Sequence, residues 1–132
     1  SQGNIQEAVK HYQNFIAQGF NDYGVFSNYG VILKNLGKLK EAEILTRKAI
    51  ELNQNFAKSH YNLGIILTNL NKHEEAISCF NIAIKLNQND KEFLKGLGMA
   101  LLNIGEHKEG LNNLKEGEGF INFNLIKGFS IN

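Results

Sequence analysis

The sequence predicts an all-α solenoid, a right-handed superhelix of antiparallel helix pairs, with a short β-like extension at its C-terminus. Three observations predict this fold: small residues recur at one interval, apolar residues follow helical spacing, and short polar segments separate the helical patterns. Two columns of small residues repeat every thirty-four residues: Gly30, Gly64 and Gly98, and Ala42, Ala76 and Gly110. A fixed period of this length is typical of stacked helical units.

Each predicted unit contains two helices, A and B, joined by a short polar break. The elements in order are a lone B helix at 4–18 and three full repeats at 23–53, 57–87 and 91–118. After each of the first two full repeats, Asn55 or Asp90 is placed to accept hydrogen bonds from the free N–H groups of the next helix. Residues 1–118 therefore form one predicted repeat domain.

Gly64 lies inside an otherwise apolar A helix, where glycine costs about 1 kcal/mol relative to alanine. We expect the glycine column to face the column of small residues on helix B, so that Gly64 lies opposite Ala76. The missing side chains would let two helix backbones approach closely. On this interpretation, Gly64→Leu overpacks the contact and destabilises the fold by roughly 1–3 kcal/mol.

Together these columns resemble the tetratricopeptide repeat, whose unit has two antiparallel helices and this period. The resemblance covers residues 4 to about 118, and the middle repeat matches closely at Leu63, Gly64, Leu67, Ala76, Phe80 and Ala83. The chain departs from the pattern because it has no proline after helix B, and because His60 and Leu94 replace a usual aromatic residue. The resemblance implies a protein-interaction module with a concave groove lined by the A helices.

The A helices carry a repeated set of residues on the side that the resemblance assigns to the groove. The candidates are Asn28, Val31, Asn35, Asn62, Ile65, Asn69, Lys95, Met99 and Asn103. An asparagine amide offers both a donor and an acceptor, so a row of amides matches a peptide backbone. This row resembles the asparagine ladder of the O-linked N-acetylglucosamine transferase repeats. The alternative is that asparagine is simply abundant in this composition.

Composition argues against several classes of function. With a formal net charge of +1 over 132 residues, the chain lacks the Lys/Arg excess of nucleic-acid or polybasic membrane surfaces. Its single cysteine cannot form an intrachain disulfide. The sequence has neither an apolar run near the roughly 18 residues of a membrane span nor a signal-peptide start. We therefore expect a cytoplasmic protein with no nucleic-acid or membrane partner.

No combination of side chains predicts catalysis. His73 and His107 share one repeat position in a turn between helices, and Cys79 is expected to pack as a small apolar residue. The pattern gives no nucleophile both a base and an orienting residue, and no glycine-rich loop follows a strand. We predict a non-enzymatic protein with no cofactor and no metal.

Both ends of the predicted solenoid leave apolar residues without a repeat partner. Residues 4–18 lack a preceding A helix, so either the sequence starts within a repeat, which we favour, or this face packs on another subunit. Within 119–132, Ile121, Phe123 and Leu125 alternate with asparagines, which predicts a short hairpin. The hairpin caps the last helices, pairs across a homodimer or begins a further domain. The N-terminal helix and residues 119–132 are thus the two candidate homodimer contacts.

The sequence favours a protein–protein interaction module that binds an extended peptide or partner segment in its concave groove. Two alternatives stay open: a docking or regulatory part of a larger enzyme of the glycosyl- or methyltransferase type, and a self-association module. At the positions that form the carboxylate clamp of chaperone-binding repeats, only Asn62 matches, so we do not expect the acidic C-terminus of a chaperone as ligand.

Overall fold

A computed structural model describes residues 2–105 of the chain, and within that range it contains six helices and no strand. The helices are α1 (Gln2–Ala17), α2 (Tyr23–Asn35), α3 (Leu39–Leu52), α4 (Ala57–Asn69), α5 (His73–Leu86) and α6 (Lys91–Asn103). The chain is thus an all-α solenoid. The predicted last B helix and the predicted hairpin of 119–132 lie outside the described residues.

Local hydrogen bonds and turn conformations set where the helices begin and end. Asp90 accepts a hydrogen bond from the Glu92 N–H at 2.9 Å, as predicted, whereas α4 begins after Phe56 without a side-chain cap. The prediction of Asn55 as the cap was wrong because the N-cap position is Phe56, and Asn55 lies one residue earlier in a turn where its N–H donates to the Asn53 side chain. Each turn from helix A to helix B passes through a left-handed residue; in the middle repeat this is Asn71.

The helices form two layers. Helix α4 contacts both α2 and α6, and these three helices form the inner layer, whereas α1, α3 and α5 form the outer layer. Within residues 2–105, α3 and α5 each pack against two inner helices and α1 packs against α2, whereas α3 and α5 meet each other only through side-chain ion pairs. Because the inner helices lie closer together than the outer ones, the array curves with the inner layer on its concave side.

The core lies between the two layers in two adjoining clusters. The first cluster centres on Phe80 of α5, which packs against Leu63 and Leu67 of α4 and Leu97 of α6. The second joins α2, α3 and α4 through buried residues such as Leu33 and Ile66. Helix α1 extends this second cluster, where Tyr12 stacks on Tyr29 with ring centroids 5.2 Å apart.

The glycine column is buried as predicted, but its neighbour differs from the prediction. A Cβ on Gly64 would lie 2.7 Å from Cε1 of Phe80, which is four residues beyond Ala76 on α5. Gly30 likewise meets the side chain of Thr46, although the Ala42 carbonyl oxygen is also close to it. Four residues advance a helix by about one turn on the same face. The close contact is therefore one turn further along helix B than the alanine column.

Candidate binding surface

The inner layer leaves one continuous stripe of side chains facing the concave side. On α4 and α6 the accessible residues follow a spacing of three, four and four, which keeps them on one side of a helix. They are Lys58, Tyr61, Ile65 and Asn69 on α4, and Glu92, Lys95, Met99 and Asn103 on α6. The matching accessible side chains on α2 are Val31 and Asn35. We call these residues the inner stripe.

Eight of the nine predicted groove residues are accessible to a partner, and one is not. Asn28, Asn35, Asn69, Lys95, Met99 and Asn103 are exposed, and Val31 and Ile65 are half-buried. Met99 is the most accessible apolar residue on the inner stripe, with 51% of its surface exposed. The remaining residue, Asn62, is buried. The role of this set in binding stays a prediction.

Asn62 belongs to the contact between two inner helices. Its Nδ2 atom donates a hydrogen bond to Oγ of Ser27 at 3.0 Å, and both side chains are buried between α2 and α4. Asn28 occupies the same repeat position, yet it is exposed. Within residues 2–105 no inner helix precedes α2, so nothing covers Asn28. An asparagine in this column therefore faces the side on which a preceding inner helix lies. Asn62 is buried because α2 lies there, whereas Asn28 is exposed.

Tyr61 lies at the centre of the inner stripe. Its ring packs on Phe80 and Phe93, with centroids 5.8 and 5.0 Å away, and Nζ of Lys58 lies 5.6 Å from the ring centroid. Burial raises the pKa of the Tyr61 phenol, and the nearby Glu92 carboxylate adds to the shift. The ring is thus a neutral platform with the Lys58 ammonium above it.

Sequence reasoning missed three residues of the inner stripe: Lys58, Tyr61 and Glu92. The signal that could have found them is the period itself. Tyr61 is in one repeat column with Ser27 and the predicted Lys95, and Lys58 and Glu92 also share a column. In the structure Nζ of Lys58 lies 3.9 Å from Oε2 of Glu92, so the two residues link α4 to α6 across the stripe.

The outer layer carries a separate cluster of charges. The Arg47 guanidinium contacts Glu43 at 2.9 Å on its own helix and Glu75 at 3.3 Å on α5, while Lys72 reaches Glu43 at 3.5 Å. Burial alone would raise the pKa of Glu43, but the hydrogen bond and charge of Arg47, together with Lys72, hold that pKa below its usual value. The cluster joins two neighbouring repeats on the outside of the array.

Cys79 is the single cysteine of the chain and lies partly buried on α5. Burial raises the pKa of the Cys79 thiol to about 11, so the thiol is protonated and a weak nucleophile at neutral pH. Within residues 2–105 no three His, Cys, Asp or Glu side chains come together in a way that would hold a metal ion. No helix in that range combines the length and the apolar character needed to cross a membrane.

Comparison with known proteins gives the family of the repeats. Two family models, both described as the tetratricopeptide repeat, match residues 23–56 and 57–90. No curated protein matches the sequence. Together the two matches cover the first two full helix pairs and just over half of the chain. The helical repeat fold of this family is generally a non-catalytic scaffold for protein interactions.

Solved structures of the MamA protein have the same fold. MamA from AMB-1 superposes with a TM-score of 0.79 at 24% identity, covering 96% of this chain and 72% of that one. MamA from Desulfovibrio magneticus RS-1, from residue 41 to its end, gives a TM-score of 0.81 at 18% identity, over 89% and 67% of the two chains. At these identities the similarity shows the fold. With the two family matches, it establishes that the chain belongs to the tetratricopeptide repeat family and is a protein–protein interaction module.

Proposed function

We propose that the concave surface binds an extended segment of a partner protein along the inner stripe. The observation that carries this proposal is a column of solvent-accessible apolar side chains on the concave side of the array, in which Val31 and Ile65 are half-buried and Met99 is exposed. An exposed apolar patch rimmed by polar residues marks an interaction site in soluble proteins.

The second support is the column formed by Asn35, Asn69 and Asn103, all of which are exposed at the ends of the inner helices. Packed helices lie about 8–10 Å apart, and an extended chain advances about 3.3 Å per residue. A segment crossing the inner layer therefore presents a backbone group to a new amide about every third residue. This spacing lets the amides bind the partner's backbone while the apolar column contacts its side chains.

Peptide-array binding by the full chain tests the proposal. Met99→Asp removes the most exposed apolar contact, and we expect it to weaken binding of the peptides selected by the native chain at least roughly tenfold. Ile82→Asp is the matched control, because Ile82 is exposed on outer helix α5. Peptides bound equally by both variants and the native chain would locate binding away from the concave surface.

The contribution of the amides is tested separately. Asn69→Ala combined with Asn103→Ala should weaken the same peptides without changing which side chains are preferred, because the amides contact the backbone. Asn62→Ala is unsuitable alone, since it also removes a hydrogen bond inside the array. If the double variant binds with unchanged affinity while Met99→Asp fails to bind, the amide ladder is wrong and the apolar part of the proposal stands.

A further inference from the structure

A second surface lies on the outer side of the array, where Ile44 projects from α3. Ile44 is the most exposed large apolar residue in the described part of the chain, at 67%. It borders two hollows between α1 and α3, of about 430 and 370 Å³, whose walls also include Ile16 and Leu45. Phe20, about half exposed, lines the larger hollow. We call these residues the outer patch.

The matching place in the next repeat is closed by polar contacts. Between α3 and α5 the equivalents of Ile44 and Leu45 are Ser78 and Cys79, and the ion pair of Arg47 with Glu75 crosses the groove. In the outer patch, Gln13 takes the place of Arg47, and the groove stays open and apolar. The repeat architecture therefore does not require an apolar residue at Ile44, and its exposure needs another reason.

The charges around Ile44 are arranged so that α3 complements itself. When two copies of α3 pack antiparallel about a two-fold axis between Ile44 and Leu45, Glu41 lies opposite Lys48 of the second copy. The same axis places Lys38 opposite Glu51 of the second copy. All four charged side chains are exposed, and none forms an ion pair within residues 2–105.

From these observations we propose that the outer patch is a homodimer interface, in which Ile44 of each copy enters the apolar groove between α1 and α3 of the other. The projecting side chain and the hollow lie on the same surface, which is the self-complementary arrangement that a two-fold interface requires. Four symmetric ion pairs at the rim fix the antiparallel direction of the two α3 helices. This interface leaves the concave surface free.

Sedimentation equilibrium of the full chain over a concentration series tests the apolar part of the interface. The native chain is expected to dimerise reversibly, and Ile44→Asp is expected to raise the dissociation constant by more than about tenfold. Ile82→Asp places the same charge on the exposed side of α5 and is the matched control. A native chain that stays monomeric, or an equal effect of the two substitutions, would overturn the proposal.

A charge exchange tests the direction of packing. Glu41→Lys puts lysine at both paired positions, and Lys48→Glu puts glutamate at both, so each variant should weaken its own dimer by roughly tenfold. An equal mixture of the two variants should form a mixed dimer with native affinity, because each pair then joins a lysine to a glutamate. The double variant should form its own dimer with native affinity for the same reason. Circular dichroism confirms that each variant is folded. Failure of the mixture to associate, or dimers that persist in both single variants, would show that any self-association uses another surface.

Discussion

The two described interfaces between successive repeats solve the same packing problem with different residues. Where α2, α3 and α4 meet, Thr46 lies against Gly30, and Asn62 fills the remaining space by bonding to Ser27. Where α4, α5 and α6 meet, Phe80 replaces Thr46, and glycine replaces Asn62 in the equivalent position, Gly96. The first interface is held partly by a polar contact, and the second by one large ring.

The two interfaces differ in which helix carries the large side chain. The Phe80 ring lies between Gly64 of α4 and Gly96 of α6, and a Cβ on either glycine would come within 3 Å of it. The large Phe80 side chain on helix B is therefore matched by a glycine on each of the two inner helices that it contacts. In the first interface the bulk is on the inner helix, at Asn62, and the outer residue is smaller. The larger side chain is thus on the outer helix at the second interface, as Phe80, and on the inner helix at the first, as Asn62.

The largest effect is expected from removing the ring of Phe80. This side chain is 1% exposed and packs against both α4 and α6, so Phe80→Ala should lower the free energy of unfolding by about 3–5 kcal/mol, measured by urea denaturation. Ile82→Ala, on the exposed side of the same helix, should change stability by less than about 0.5 kcal/mol. Similar losses for the two variants would show that the second interface does not depend on its central ring.

Adding a methyl group at Gly64 tests the close contact with Phe80 from the α4 side. Gly64→Ala should destabilise by roughly 1–3 kcal/mol, despite the better helix propensity of alanine, because its Cβ would overlap the Phe80 ring. The loss should shrink in a Phe80→Leu background, and a double-mutant cycle measures that coupling. An equal loss in both backgrounds would mean that Phe80 is not the neighbour that excludes a side chain.

Asn62 provides the corresponding test in the first interface. Asn62→Ala leaves the Ser27 hydroxyl buried without its donor, so the free energy of unfolding should fall by about 1–2 kcal/mol. Asn28→Ala is the matched control in the same repeat position, and its exposure predicts a change within about 0.5 kcal/mol. Equal effects on stability would contradict the distinct environments of the two amides.

The smallest change in the free energy of unfolding, and the only increase, is expected from substituting Thr46. Its hydroxyl is buried and has no hydrogen-bond partner in the described region, so Thr46→Val should stabilise by about 0.5–1 kcal/mol. Thr68→Val is the control, because the Thr68 hydroxyl donates to the Gly64 carbonyl at 2.8 Å. Thermal melts of both variants provide the measurement, and a loss at Thr46 would reveal a polar contact that stabilises the first interface.

Much of the fold could be predicted because a thirty-four-residue period aligns equivalent positions before their contacts are known. Ala42 and Ala76 were placed correctly in the core, where neither is exposed. The partner of Gly64 could not be predicted in the same way. A column in the sequence fixes which face of a helix a residue occupies, but the crossing of two helices decides which turn it meets.

The candidate surface was predicted less well than the fold, for a related reason. Asn28 and Asn62 are equivalent in sequence, but only Asn62 has an inner helix on the side that its amide faces. Periodicity treats every repeat alike, whereas burial depends on the neighbours that a repeat has. The thirty-four-residue register with Lys95 could have located Tyr61, but the prediction relied on side chains that recur in a column, and Ser27, Tyr61 and Lys95 share no side-chain chemistry.

The charge cluster on the outer layer has a mechanical consequence. Arg47 and Lys72 join α3 to the beginning of α5 only through exposed or partly exposed ion pairs, whereas the inner helices of the same repeats, α2 and α4, meet through buried apolar side chains and the buried hydrogen bond of Asn62 with Ser27. Salt screens exposed pairs and leaves buried apolar contacts intact. We therefore expect rising ionic strength to weaken the outer contacts between these two repeats while their inner contacts persist.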